Sequence, residues 1–408
     1  MEDVFVTELK LKKVRHLENL SISLSKETPK HLILTGKNGS GKTSVLNEIK
    51  AFFQQIDGKT ITNLKSWKKY RSSLTDKQFY SNYDYSMESN KAFNEIKEII
   101  SSNNRSQSGI ELIFNAKNFI GPFFHENFIF AFFEAKRLSD FRQPSGPKKL
   151  DIKDHYGIDE KANIEFVQHL INLRYNYLEA KESGRQKIAN NINQWVEGFE
   201  ASLKEIFSDE SLKLVIDSKN FKYDIITKGR EVFDLKTLSD GFSAIINIVT
   251  ELIMRMEKKH SNVYDAQGLV LIDEIETHLH IDLQKKILPF LTSFFPKIQF
   301  IVTTHSPFVL TSLADAIIYD LESQEPIEDL SGYSVEAIIE GYFGSDKYSE
   351  ALKDKVDEYE QLAKKDELSF SEEKRFKSLK KYFDDLSDVF AEELKLKIQQ
   401  IRMLKPVK

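Results

Sequence analysis

The sequence predicts an α/β protein with a parallel sheet, a mainly helical insertion and a helical C-terminal region. Two apolar runs rich in β-branched residues, Gly268–Ile272 and Ile298–Thr303, are typical of strands buried on both faces of a parallel sheet. A third apolar run, His31–Leu34, leads through a glycine-rich turn into the helix-like segment Thr43–Ala51. Strands that alternate with helices in this order favour the α/β class.

The remaining elements follow from apolar periodicity along the chain. Alternating residues predict two short strands within residues 4–24, and further strands are expected at Ile110–Phe114 and Phe128–Phe133. Residues 52–110 are polar, and we expect them to be helical. The later pattern predicts helices over 157–207, a hairpin of Leu212–Ile216 with Tyr223–Thr227, and a helix from Asp240 to Lys259.

These elements suggest three regions. Residues 1–50 and 230–335 would form the core, and residues 51–229 an insertion that partly completes it. From residue 336 to 408 the chain is charged, with apolar positions at three- and four-residue spacing. This pattern predicts an antiparallel hairpin of two helices, 346–365 and 370–402. Such a hairpin could be a solvated part of the domain or a docking site for a partner, and the pattern favours neither.

Composition limits the function classes. The net charge of −5 means that any nucleic-acid site must be local, and the absence of cysteine excludes disulfides, a thiol nucleophile and a cysteine zinc site. The acidic N-terminus lacks a signal-peptide pattern. The most apolar stretch, Leu283–Phe300, is interrupted by lysines and a proline. We therefore expect a cytoplasmic protein that does not enter a membrane.

The glycine-rich turn matches the phosphate-binding pattern G-x-x-x-x-G-K-[ST] at every fixed position. Glycines let successive backbone N–H groups turn inward around a phosphate. We expect Lys42 to reach the β and γ phosphates of ATP, and Thr43 to ligate Mg²⁺. A turn without a ligand is the alternative, and the flanking strand and helix disfavour it. The expected nucleotide contacts are Gly36, Asn38, Gly39, Ser40, Gly41, Lys42, Thr43 and Ser44.

Two carboxylates follow the apolar run Leu269–Ile272. Because ligands bind at the carboxyl ends of strands in such sheets, Asp273 would lie where it can hold Mg²⁺. The adjacent Glu274 can orient and deprotonate an attacking water. An apolar strand before Asp-Glu is weak evidence alone, but here it lies downstream of a phosphate loop.

Three more segments complete the pattern. Ser239 or Asp240 would cap a helix whose free N–H groups form a second anion site, with Gly241 in its first turn. A simple helix cap is the alternative. The run Glu276–His280 follows the carboxylates, and His305 follows the second buried strand, where it could donate a hydrogen bond to the γ phosphate or the water. These histidines lack a third spaced ligand and make a poor metal site.

Together these motifs resemble the ABC-type ATPases of the OLD, RecF and SMC branch. The segments LIDEIETHLH and VTTHSPFVL are similar to OLD-like ATPases of bacterial phage-defence operons, such as the Septu-type and PARIS-type ATPases. The resemblance covers the N-terminal strands and residues 230–320, but neither residues 50–230 nor the C-terminal helices.

The resemblance implies an ABC-type ATPase head that dimerises head to head around two ATP molecules. Catalysis would involve Lys42, Glu274 and His305 of one subunit, with Mg²⁺ on Thr43 and Asp273. Ser239 and Gly241 would contact the γ phosphate from the other subunit. The chain departs from the common signature, since it has Leu-Ser-Asp-Gly-Phe in place of Leu-Ser-Gly-Gly-Gln. Gln143 is the nearest glutamine-loop candidate, and Arg137 occupies the region of a nucleotide-proximal arginine.

Three functions fit this resemblance. The favoured one is an ATPase, as a homodimer or higher oligomer, that controls a separately encoded nuclease or toxin in anti-phage defence. The alternative is a RecF- or SMC-like DNA-repair or maintenance ATPase, for which residues 65–71 or the cluster Lys10, Lys12, Lys13 and Arg15 could contact DNA. A transporter motor is least favoured. No nuclease pattern follows His305, so we expect no nuclease activity of its own.

Overall fold

The computed structural model describes residues 3–55, 109–115, 128–327 except 154, 230 and 258–265, then 330, 332–342, 348–385 and 392–404. The segment 65–71 and most of the predicted helical stretch 52–110 lie outside these residues. The chain forms two compact units, Met1–Tyr333 and Ser334–Lys408. Among the described residues, no helix is both long and apolar enough to cross a bilayer.

A six-stranded sheet forms the centre of the first unit. Its strands are β3 (His31–Thr35), β5 (Phe128–Phe133), β9 (Gln267–Ile272), β10 (Ile298–Thr303), β11 (Ala316–Asp320) and β12 (Glu325–Ile327), in the order β12-β11-β3-β10-β9-β5. The pairs within β11-β3-β10-β9-β5 are parallel, and only β12 pairs antiparallel. Every residue of β9 and β10 is buried, as expected for strands covered on both faces. The predicted α/β class with a parallel sheet is confirmed.

Two smaller antiparallel sheets accompany it. They comprise β1 (Val6–Val14), β2 (Leu17–Ser23) and β4 (Ile110–Phe114), in the order β2-β1-β4, and β6 (Lys213–Asp217), β7 (Lys222–Ile226) and β8 (Phe233–Asp234), in the order β6-β7-β8. Alternate residues of β1 such as Leu9 and Leu11 are fully buried, which is the pattern that predicted the strand. These residues share one core with β3 and with the helix after it.

The helices of the first unit include α1 (residues 42–55), α2 (Phe166–Glu182), α3 (Gln186–Phe207), α4 (Asp240–Met256) and α5 (Ile281–Phe294). The helical stretch 157–207 is therefore mainly two packed helices joined by a short turn. Helix α4 is buried along nearly its whole length. Within α4, Glu251 and Arg255 form a buried ion pair at 2.7 Å. Arg255 also donates to the carbonyl of Phe130 at 3.0 Å, which joins α4 to β5.

The described residues of the C-terminal unit form three long helices where the sequence predicts two. They are α6 (Glu350–Lys364), α7 (Phe370–Asp385) and α8 (Glu392–Leu404). Arg402 pairs with Asp384, although 18 residues of continuous helix would separate them by about 27 Å. Lys397 also pairs with Glu360 of α6 at 2.6 Å. The predicted helix 370–402 therefore turns back, because its apolar residues bury against α6 as well as α7.

Candidate nucleotide site

The phosphate loop lies at the carboxyl end of β3 and leads into α1. Gly36, Gly39 and Gly41 all have positive φ, at 125°, 88° and 101°. Such angles are open to glycine and strained for other residues, which is why the motif fixes glycine at its ends. A Cβ on Gly36 would also lie 2.8 Å from a carboxylate oxygen of Asp320. The tight turn thus depends on both the backbone angle and the missing side chain.

The lysine of the loop is held within its curve. Lys42 is buried, and its Nζ donates to the carbonyls of Gly36 (2.7 Å) and Lys37 (3.0 Å) and to Ser40 Oγ (3.4 Å). Burial lowers the pKa of Lys42, while the nearby carboxylates led by Glu274 oppose that shift. Asn38 and Gly39 are exposed at the rim, and Ser44 is half-buried in the first turn of α1.

The two predicted magnesium ligands lie together although 230 residues separate them. Thr43 Oγ1 donates to Asp273 Oδ1 at 3.2 Å. Asp273 is buried and accepts a second hydrogen bond at 2.6 Å from Thr303 Oγ1, at the end of the neighbouring strand β10. A hydroxyl and a carboxylate are hard oxygen donors of the kind that Mg²⁺ uses beside phosphate oxygens. These residues therefore fit a magnesium ion.

The predicted general base has an unusual backbone. Glu274 adopts a left-handed conformation with φ of 43°, which costs roughly 1–2 kcal/mol in a residue with a Cβ. Its N–H donates to Thr303 Oγ1 at 2.7 Å, and Thr277 Oγ1 donates to its carboxylate at 3.2 Å. Strain that surrounding contacts maintain is a common feature of functional sites. The carboxylate is only partly buried, so it can meet a bound water.

His305 belongs to the same cluster of charges. Its backbone N–H donates to Glu276 Oε1 at 2.6 Å, which ties the segment after β10 to the segment after β9. Burial and then Lys42 lower the pKa of His305, against the opposing carboxylates. The imidazole is therefore neutral at neutral pH and has one N–H to donate. Sequence reasoning gave Glu276 and Thr303 no role, although both lie within the quoted motifs.

Two predicted nucleotide neighbours have other partners. Gln143 Nε2 donates to the carbonyls of Asn220 (3.1 Å) and Phe221 (3.0 Å), in the turn between β6 and β7. Its side chain is therefore engaged by that hairpin, and its role as a glutamine loop stays a prediction. Arg137 is buried, and its guanidinium donates to the backbone carbonyl of Asp273 at 3.0 Å. Neither contact involves residues close in sequence, so no local pattern could reveal it.

The signature segment begins helix α4. Ser239 is exposed at the N-cap position and makes no side-chain capping bond, so its hydroxyl is available. Gly241 packs against the segment 276–280, since a Cβ there would lie 2.8 Å from the carbonyl oxygen of His278. The expected role of Ser239 and Gly241 involves a second subunit and stays a prediction.

The basic cluster of strand β1 is matched by acidic neighbours. Lys10 pairs with Glu8 at 3.7 Å, Lys12 with Glu111 at 3.5 Å and Lys13 with Glu18 at 2.8 Å. These pairs offset the positive charge of the three lysines, whereas Arg15 of the predicted cluster is exposed and is not part of them. Contact of this cluster with DNA stays a prediction.

A family model gives this site its context. The model of AAA_21, described as "AAA domain, putative AbiEii toxin, Type IV TA system", matches residues 132–311. The match is thus to a family of ATPase-like AAA domains and covers less than half of the chain. The matched region includes the last two residues of β5, the signature helix α4, the carboxylate pair and His305. The phosphate loop lies outside the match, yet the fold brings it against Asp273.

Curated relatives share part of this region. The chain is 32% identical over 169 residues to a Septu protein PtuA of Bacillus mycoides, covering 39% of this chain and 23% of that protein. It is 30% identical over 199 residues to a retron Ec83 probable ATPase of Escherichia coli, covering 46% and 34%. The chain thus spans about a quarter to a third of the length of these relatives. The chain is thus similar to Septu and retron proteins over part of their length.

Solved structures provide more distant likenesses. An SMC head bound to the C-winged helix domain of ScpA is 14% identical with a TM-score of 0.36, over 80% of this chain and 95% of that one. The SMC head domain from Thermotoga maritima is 13% identical with a TM-score of 0.35, over 77% and 94%.

Proposed function

We propose that this chain binds ATP with Mg²⁺ at the phosphate loop and hydrolyses it with Glu274 as the general base. The observation that carries the proposal is the 3.2 Å contact between Thr43 Oγ1 and Asp273 Oδ1. It brings the helix after the phosphate loop against the carboxylates after β9, with Glu274 next in the chain. Phosphoryl transfer to water requires these parts together at one end of a sheet.

Each side chain has a distinct task in this mechanism. The loop N–H groups and Lys42 hold the phosphates, and Lys42 would leave its loop carbonyls to meet them. Mg²⁺ held by Thr43 and Asp273 would offset the negative charge of the β and γ phosphates. Glu274 orients a water and accepts its proton as the water oxygen attacks the γ phosphorus, while the bond from that phosphorus to the β–γ bridging oxygen breaks and ADP leaves. Neutral His305 donates a hydrogen bond to the γ phosphate.

The proposal includes an ATP-linked homodimer that regulates a separately encoded nuclease or toxin in the cytoplasm. Its support is the exposed, uncapped start of α4, which leaves Ser239 and the helix N–H groups available to the ATP of a second copy. The Septu and retron relatives support the defence role, and the C-terminal unit is the proposed docking region for the effector.

Two variants test the proposal. Lys42→Ala should abolish nucleotide binding, because it removes the cation that meets the phosphates. Glu274→Gln should bind Mg-ATP, hydrolyse it at least about 100-fold more slowly and accumulate as a dimer, because the base is missing. Glu182→Gln, an exposed position on α2, is the matched control and should behave as wild type. Phosphate release measures turnover, and light scattering measures mass.

The outcomes separate the parts of the proposal. Wild-type turnover in Glu274→Gln would show that another group is the base. Loss of turnover without a change of mass in Mg-ATP would overturn the dimer. Adding the product of the neighbouring gene to the ATP-bound variant tests the effector, and absence of binding in every nucleotide state would count against two-component control.

A further inference from the structure

The segment after β9 bends so that three successive carbonyl oxygens face one guanidinium group. Arg137 Nη1 donates to the carbonyl of Asp273 at 3.0 Å, and Nη2 donates to that of Ile275 at 2.6 Å. Both nitrogens also reach the carbonyl of Glu274, at 3.3 and 3.4 Å. The segment that carries the magnesium ligand and the base is thus held by a residue about 137 positions earlier in the chain.

The sheet explains how this contact arises. Strands β5 and β9 are parallel neighbours, and the N–H of Asp273 donates to the carbonyl of Phe133 at 2.9 Å, extending their pairing by one residue. Arg137 follows β5 by four residues. It therefore lies beside the chain that leaves β9, where both segments turn at the carboxyl end of the sheet.

The chemistry of the contact requires arginine. Three carbonyl dipoles that converge in a buried place repel one another and need donors. A guanidinium presents several N–H groups in a rigid plane, whereas a lysine presents a compact ammonium. Burial lowers the pKa of Arg137 to about 10, and the surrounding carboxylates oppose that shift. The group therefore remains charged at neutral pH and balances the nearby acids.

We infer that Arg137 is a positioning residue: by binding the backbone carbonyls of Asp273 and Glu274, it fixes the positions of the magnesium ligand and the general base. This inference rests on the proposed hydrolysis. By holding these carbonyls, Arg137 maintains the left-handed conformation of Glu274 and directs its carboxylate to the attacking water. A nucleotide-facing arginine would instead bind phosphate and contribute to affinity. If Arg137 positions the backbone, its loss should leave nucleotide affinity unchanged, whereas if it binds phosphate, its loss should weaken that affinity.

The test substitutes the guanidinium while leaving the phosphate loop intact. In Arg137→Met, we expect kcat to fall about 100-fold or more with KM and affinity for a fluorescent ADP analogue within about threefold, since small misplacement of a catalytic group has effects of this size. Arg137→Lys should be intermediate. Millimolar guanidinium should raise the kcat of Arg137→Ala by at least about tenfold. The matched control is Arg142→Met, which removes an exposed arginine paired with Glu165.

The opposing results are equally specific. An affinity loss as large as the loss of kcat would assign Arg137 to the nucleotide and overturn the inference. Wild-type kcat in Arg137→Met would also overturn it. A general loss of folding would appear as a lower melting temperature with no guanidinium rescue, which would reduce Arg137 to a structural residue.

A second readout does not depend on hydrolysis. Hydrogen exchange of the amides of residues 273–279 should accelerate in Arg137→Met, while residues 36–46 keep their wild-type rates. Unchanged exchange at 273–279 would overturn the backbone role. If the wild-type protein hydrolyses no ATP but this exchange difference is present, the proposed function fails while the contact holds.

Discussion

The buried carboxyl group of Glu257 should make the free energy of unfolding depend on pH. Glu257 follows α4, and its Oε1 lies 3.4 Å from Nε2 of the buried His169. Burial raises the pKa of Glu257 from 4.5 to about 7 and lowers that of His169 from 6.5 to about 4. Both groups are therefore largely uncharged in the folded protein near pH 6.

The magnitude follows from linkage. A carboxyl group whose pKa is higher in the folded state adds stability below the unfolded pKa, and that stability is lost as the pH rises through the folded pKa. Each pKa unit is worth about 1.4 kcal/mol, so a rise from 4.5 to about 7 corresponds to about 3 kcal/mol. Glu257→Gln keeps the shape and removes the titration. The variant should gain about 2–3 kcal/mol over wild type between pH 5 and pH 8.

Urea unfolding followed by tryptophan fluorescence measures this gain. Trp195 of α3 reports on the first unit, which also holds Glu257. His169 also lowers stability as the pH falls from 6.5 towards 4, in both proteins. Glu182→Gln, on the exposed face of α2, should show no such trend. A difference between Glu257→Gln and wild type that stays constant from pH 5 to pH 8 would refute the reasoning.

Three further substitutions address the site and the C-terminal unit. Gly241→Ala places a methyl group 2.8 Å from the backbone oxygen of His278, so chemical unfolding should show a loss of about 1–3 kcal/mol. Thr303→Val removes the hydroxyl that joins Asp273 to the N–H of the base; turnover should fall about tenfold or more with nucleotide affinity retained, and Thr303→Ser should restore it. Phe383→Ala empties a fully buried position, and the C-terminal unit should lose about 3–5 kcal/mol in denaturant titrations that follow its helices by circular dichroism.

Local patterns predicted much of the fold. The parallel strands could be recognised from short apolar runs, because a strand buried on both faces carries its signal within about six residues. The helical stretch 157–207 was predicted from periodicity in the same way. The prediction of a two-helix hairpin at the C-terminus missed one turn, because a periodic apolar pattern can continue through a turn. The contact of Lys397 with Glu360 shows that the chain turns back there.

What the sequence alone determined is the set of chemical groups: the glycines and Lys42 of the phosphate loop, and the carboxylates after β9. Each of these depends on residues adjacent in the chain. The tertiary structure alone decided which groups meet across long separations: Thr43 with Asp273, and Arg137 with the carbonyls around Glu274. It also paired the lysines of β1 with carboxylates, including Glu111 of β4. The physical reason is that strand order in the sheet sets these contacts, and strand order is encoded by packing of the whole core rather than by any local run of residues.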